Sequence, residues 1–242
     1  QENDNDIRIF MPKFGTINER RHQLHEVIRL SGMNLIIDDF DHQLIIKVAS
    51  VQQSRMQVYF IDNEEYFPKR HYLNDPEGNF MQNNDERMMF FCKGVIETVK
   101  KLGWAPDIIH CNGWFSALVP MYIKKLYNKD PMFSNTKIYY TVFDNPFKGD
   151  LNNSLSEKLL FEDLQDKDVE MIGNPTFDNL NKFAISYSDA VVQGSKKLSK
   201  NLLNFIKNNK VPVLVKTGDD NFEDQCLSFY DSTEKTKKTK KN

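Results

Sequence analysis

The sequence predicts an α/β fold, and three observations predict it. Between Trp104 and Gly149 a short apolar run, Ile108-Ile109, ends on His110-Cys111-Asn112-Gly113-Trp114. Phe115–Tyr127 then carries apolar residues at helical spacing, and after the turn Asn128–Pro131 a second run, Lys137–Phe143, breaks off at Asp144-Asn145-Pro146. That is strand, helix, strand with short connections, which implies a parallel pair and a right-handed crossover. The second observation is a repeat of the alternation, a helical stretch Phe177–Tyr187 followed by the strand-like Asp189–Ser195. The third is size: 242 residues, 40% hydrophobic and 27% charged, are enough to bury an ordinary globular core.

Taken in order, Asp6–Pro12 alternates as a short strand stopped by proline. Ile17–Arg29 reads as a helix through the spacing of Leu24, Val27 and Ile28. His22 and His25 would share a face of it, but with no third ligand nearby they read as solvated surface histidines rather than a metal pair. Met33–Ile37, His42–Ser50 and Met56–Ile61 alternate and are divided by Asp38-Asp39 and Gln52-Gln53-Ser54, as hairpin-forming strands are. Glu64–Asn83, rich in Asn, Asp, Pro and Gly, reads as a long loop. Asn84 or Asp85 then caps a helix along Met89, Phe90, Gly94 and Ile96 that ends at Gly103. Further helices are expected over Ser154–Asp166 and Lys196–Lys207, with Val211–Val215 as a short strand or tether. The resulting organisation is one domain over 1–230 and a lysine-rich, disordered tail over 231–242.

The net charge is −2, but five lysines crowd the last eight residues. Without them 27 basic residues face 34 acidic ones, a balance of −7 that speaks against nucleic acid as a partner. Cys92, Cys111 and Cys226 are odd in number and widely spaced, which suggests a reducing compartment and a cytoplasmic protein. No apolar run nears the roughly 18 residues of a membrane span, and no signal peptide is visible. Glycine-rich nucleotide loops and metal-binding cysteine clusters are missing, so neither a cofactor nor a metal is expected. Ser195, in Gln193-Gly194-Ser195-Lys196, lacks the Gly-x-Ser-x-Gly pattern of a nucleophile elbow, and Cys111 and His110, adjacent in a strand, point to opposite faces.

The run Pro106–Pro120 resembles the segment PDVVHCHDWHTALVP of bacterial glycogen synthases and plant starch synthases, and Tyr140–Gly149 resembles their FTIHNLAYQG. Asp6–Pro12, the Asn84–Leu102 helix and Phe177–Ser195 match further segments of that family, so the resemblance covers most of residues 6–207. It implies the amino-terminal, Rossmann-like lobe of a two-lobed glycosyltransferase of the GT-B type, with an inserted hairpin region. The implied reaction transfers glucose from ADP-glucose to an α-1,4-glucan. In that family a first strand and a Lys-x-Gly-Gly loop would lie upstream of Gln1, and a second, nucleotide-binding lobe would follow. The strand Asp6–Met11 is therefore expected to show an open edge, or to take Val211–Val215 as a neighbour.

Ligands of open α/β sheets bind beyond the carboxyl ends of the strands. The substrate-binding candidates are thus His110, Asn112, Gly113, Trp114, Phe143, Asp144 and Asn145. Asn112-Gly113 stands where the family has His-Asp, and Phe143 where it has His, so no catalytic residue is assigned. His110 is expected to be a satisfied core histidine; Trp114 and Phe147 either flank a sugar-binding crevice or lie in the core. The expected partners are α-glucan and ADP-glucose, with a separate carboxy-terminal lobe or another protein. The expected role is a glucosyltransferase catalytic-domain protein, the alternative a non-catalytic lobe that binds glucan or a protein partner.

Overall fold

The structure, a computed structural model, describes residues 5–51, 56–216, 218 and 221–238. In chain order the strands are β1 (Arg8–Pro12), β2 (His25–Glu26), β3 (Met33–Ile37), β4 (Phe40–Val51), β5 (Met56–Asp62), β6 (Ile108–Asn112), β7 (Lys137–Val142), β8 (Ala190–Gln193) and β9 (Val213–Val215). The helices are α1 (Asn84–Leu102), α2 (Val119–Lys125), α3 (Leu155–Leu160), α4 (Asp166–Val169), α5 (Phe177–Ser186), α6 (Lys200–Asn208) and α7 (Phe222–Lys238). Where the sequence reads as one domain over 1–230, the backbone gathers into two compact units. The first is Gln1–Ala105 with Lys148–Val169, and the second Pro106–Phe147 with Glu170–Asn242.

The first unit is built on a mixed sheet of order β1-β5-β4-β2, with β3 also paired to β4. β1 and β5 run parallel, whereas β3-β4 and β4-β5 are the antiparallel hairpins that the alternating pattern predicts. The Gln52-Gln53-Ser54 turn lies outside the described residues. α1 packs Met88, Met89, Phe90 and Ile96 into this unit's core, and Gly103 ends it in the left-handed conformation at φ 63°. Its amino end differs from expectation. Neither Asn84 nor Asp85 caps it, because Asn84 is turned inward to Arg87 and to the Leu73 carbonyl.

Arg87 itself is fully buried, and it holds the loop after β5 in place. Its Nε donates to the Tyr66 carbonyl at 2.6 Å, Nη2 to the Tyr72 carbonyl at 2.6 Å and Nη1 to Asn84 Oδ1. The rings of Phe14 and Phe67 lie against the guanidinium. Burial pushes its pKa down to about 10. The polar loop over Glu64–Asn83 therefore rests on a buried cation and buries Tyr66 and Phe67.

One further expectation is corrected in this unit, and for β1 the first of two alternatives, an open edge, is what the described strands show. Ile17–Arg29 is a series of turns leading into β2 rather than a helix, and Ile28 is 83% exposed, so its apolar spacing marks no core face. β1 is hydrogen-bonded to β5 alone among the described strands, and Val213–Val215 does not join it. That segment pairs with β8 instead.

The second unit holds a four-stranded sheet of order β6-β7-β8-β9, parallel throughout. The connection from β6 to β7 runs through a 3-10 turn, Trp114–Ser116, and α2, which is the predicted βαβ unit. One face of β7 packs on α5, where the Tyr140 hydroxyl donates to Asn181 Oδ1 at 2.8 Å. The opposite face of the sheet, bearing His110 of β6 and Tyr139 of β7, is covered by α7 through Phe229 and Tyr230. α7 crosses the boundary placed at residue 230 and stays helical to Lys238, because its aromatic residues have a sheet face to bury. Residues 239–242 of the lysine-rich tail lie outside the described residues. No helix among the described residues is long and apolar enough to cross a membrane.

Candidate functional site

The carboxyl ends of β6, β7 and β8 are tied together by their own loops. After β6 the chain turns at Gly113, whose N–H donates to the Thr141 carbonyl at 3.0 Å. Its φ of 73° is a conformation that a side chain would strain. After β8 the Gly194 N–H donates to the Val142 carbonyl at 2.9 Å, and the Asp144 N–H donates to Ser195 Oγ at 2.9 Å. Gln193 Nε2 closes the last loop on the Ser195 carbonyl at 3.1 Å.

Phe143 lies between the two glycines. A Cβ on Gly194 would stand 2.6 Å from the Phe143 ring and 2.7 Å from Thr141 Cγ2, and one on Gly113 would stand 3.7 Å from the same ring. The ring thus fills the space at the centre of the strand ends, in the place where the resemblance leads one to expect an imidazole. An apolar ring neither moves protons nor accepts hydrogen bonds, so Phe143 supports the loops and does no chemistry. Around it Asn112, Asp144 and Asn145 are exposed.

Trp114 is 4% exposed and meets Phe147 edge-to-face at 4.8 Å and Phe115 at 5.1 Å. Phe147 in turn meets Phe177 of α5 at 5.7 Å. The two aromatics therefore touch each other and do not flank an open crevice; the geometry has them pack α5 and the β7 loop together.

His110 points away from these exposed groups, onto the face covered by α7. Its Nε2 lies 2.6 Å from Thr141 Oγ1, and its Nδ1 shares a hydrogen bond with the Tyr230 hydroxyl. Burial pushes its pKa down to about 4, and burial likewise pushes Tyr230 up to about 12. The Tyr139 hydroxyl reaches Thr233 beside them. A neutral histidine with both ring nitrogens engaged anchors a helix; it is remote from an acid–base role at the strand ends.

The strand ends thus bring together Asn112, Gly113, Phe143, Asp144 and Asn145, and leave His110 and Trp114 in packing roles. Ser195 and Gln193 join the site, although in the sequence Ser195 stands out only as a failed nucleophile elbow. The end of β8, the third parallel strand, is the signal that points to them. Among the described residues no group of three or more His, Cys, Asp and Glu side chains is placed to hold a metal.

Comparison with known proteins gives a consistent result. The profile of the starch synthase catalytic domain matches residues 1–211. The glycogen synthase of Chlorobium limicola is 39% identical over 165 residues, a match over 68% of this chain and 34% of that protein. The glycogen synthase of Chlorobaculum tepidum is 35% identical over 204 residues, covering 84% of this chain and 41% of that protein. The chain therefore spans only a third to two fifths of the length of these curated relatives. Among solved structures, the catalytic domain of starch synthase IV from Arabidopsis thaliana, bound to ADP and acarbose, superposes with a TM-score of 0.67. It shares 20% identity, over 88% of this chain and 45% of that one, a likeness of fold.

Proposed function

We propose, since this chain belongs to the family of the starch synthase catalytic domain, that it serves α-1,4-glucan synthesis from ADP-glucose by binding the glucan at the ends of β6, β7 and β8. The observation that carries this reading is the exposed group of Asn112, Asp144 and Asn145, held by three interlocked loops at the carboxyl edge of a parallel sheet. Amide and carboxylate groups on a fixed frame suit sugar hydroxyls, which both donate and accept hydrogen bonds. The starch synthase IV catalytic domain is bound to ADP and acarbose, which supports a saccharide and an adenosine diphosphate compound as ligand classes here.

The same site argues that these residues hold glucan without transferring glucose. Transfer needs donors for a diphosphate leaving group and a positioned proton carrier. Phe143 and Gly113 supply neither, and the partly buried His110 is engaged by Tyr230 of α7. Groups beyond those of these strand ends would have to handle ADP-glucose. The test is paired. The purified chain should be retarded in a native gel containing glycogen, and should incorporate no labelled glucose from ADP-glucose into it. Incorporation above the blank overturns the non-transferring reading, and unchanged mobility overturns the glucan-binding one.

A further inference from the structure

A second cluster, in the first unit, has no part in the strand-end site. Lys13 follows β1 directly, and its side chain is 5% exposed. Lysines are rarely buried so far unless paired. Its Nζ lies 2.8 Å from Glu19 Oε1, and Lys47 Nζ of β4 lies 3.1 Å from both oxygens of the same carboxylate. Lys47 is also 2.8 Å from Asp62 Oδ2, at the end of β5 and 6% exposed. One carboxylate is thus shared by two ammonium groups at the carboxyl ends of two parallel strands, β1 and β5.

The four charges are held with unequal firmness. Lys47 and Asp62 sit on strands, and the Lys13 N–H donates to the Ile61 carbonyl at 2.8 Å, extending the β1 ladder. Glu19 lies in the turns between β1 and β2, and its side chain is 37% exposed. Without Glu19, the fixed groups Lys13, Lys47 and Asp62, whose side chains are 5%, 20% and 6% exposed, carry a net single positive charge. Arg20 and Arg21, exposed on the same turn, add to that field. The hydrogen bond from Lys13 is the main reason that the Glu19 carboxyl is held below its usual range, with burial opposing it and Lys47 assisting.

We propose that the ends of β1 and β5 form an anion site for a phosphate-bearing small molecule, and that the Glu19 carboxylate occupies the place of that anion in this structure. A phosphate offers more oxygens and more charge to two lysines than a carboxylate does, so it matches the fixed groups better than Glu19. The carboxyl edge of adjacent parallel strands is also where α/β sheets receive ligands.

The probes are inorganic phosphate and pyrophosphate, followed by calorimetric titration and by thermal unfolding of the whole chain. Glu19→Gln removes the competing charge and should bind at least one probe about tenfold tighter than the unaltered chain. Adding Lys13→Met to that variant should abolish the gain. If that double variant fails to fold, Lys47→Met in the Glu19→Gln background is the second comparison and should likewise remove the gain. A gain with pyrophosphate alone assigns a diphosphate ligand, and a gain with both assigns a single phosphate group. No tightening in folded Glu19→Gln, or a thermal shift equalled by sodium chloride at the same ionic strength, overturns the proposal.

Discussion

At the scale of single residues, His110 makes the clearest case. Its folded pKa of about 4 lies below the ordinary value of 6.5, so the unfolded chain binds more protons between those two values. Stability is full above about pH 6.5 and falls as the pH drops toward 4, by at most roughly 3 kcal/mol. His110→Gln should flatten that part of the stability profile, as followed by urea midpoints from pH 4 to 7. An unchanged slope would mean that the imidazole is not buried neutral. Gly194 gives a second prediction at this scale. Gly194→Ala drives a Cβ into Phe143 and Thr141, and should lower stability by about 1–3 kcal/mol, measured by thermal unfolding. Both roles are hidden in the sequence for the same reason. His110 sits in a motif that advertises chemistry, and Gly194 sits in an ordinary strand end; only the fold reveals Tyr230 beside the one and Phe143 beside the other.

At the scale of elements, the βαβ unit is legible because its strands are short apolar runs closed by turn residues; β7 is buried throughout Ile138–Val142 and α2 throughout Val119–Ile123. The hairpins β3-β4-β5 are legible for another reason, the alternation of buried and more exposed residues along β3 and β4. Ile17–Arg29 misleads because three apolar residues at helical spacing need a partner face, and Ile28 has none. α7 escapes notice in the opposite way. Phe222, Phe229 and Tyr230 fall on one helical stripe, but acidic neighbours and the lysine tail dominate the composition around them. Phe229→Ala together with Tyr230→Ala should uncover the sheet face, and the His110 pKa should then rise toward its ordinary value, read by proton NMR of the ring. Arg87 tests the other unit. Arg87→Leu leaves the Tyr66 and Tyr72 carbonyls without their buried donor, so a loss of about 3 kcal/mol and faster proteolysis within the 64–83 loop are expected. Cleavage at the rate of the unaltered chain would show that the guanidinium does not hold the loop.

At the scale of the whole molecule, each of the two compact units carries one of the two proposed sites. The first carries the lysine-lined strand ends and the second the amide- and carboxylate-lined ones, so each has its own candidate ligand chemistry. Half of the second site is visible in the sequence, since Asn112, Asp144 and Asn145 directly follow predicted strands. The contribution of Ser195 requires the β7-β8 pairing. The same geometry removes Trp114 as a sugar platform. Trp114→Ala is a core deletion expected to cost about 3–5 kcal/mol, and it is a poor probe of binding. The surface itself must be tested with substitutions that leave the packing alone. The most direct measurement is calorimetric titration of maltoheptaose into the unaltered chain and into a variant combining Asp144→Ala with Asn145→Ala, both checked for equal thermal midpoints. Binding by the unaltered chain that weakens at least about tenfold in the variant is the predicted result. No binding by the unaltered chain at millimolar sugar, or equal binding by the two proteins, would contradict a glucan site at these strand ends.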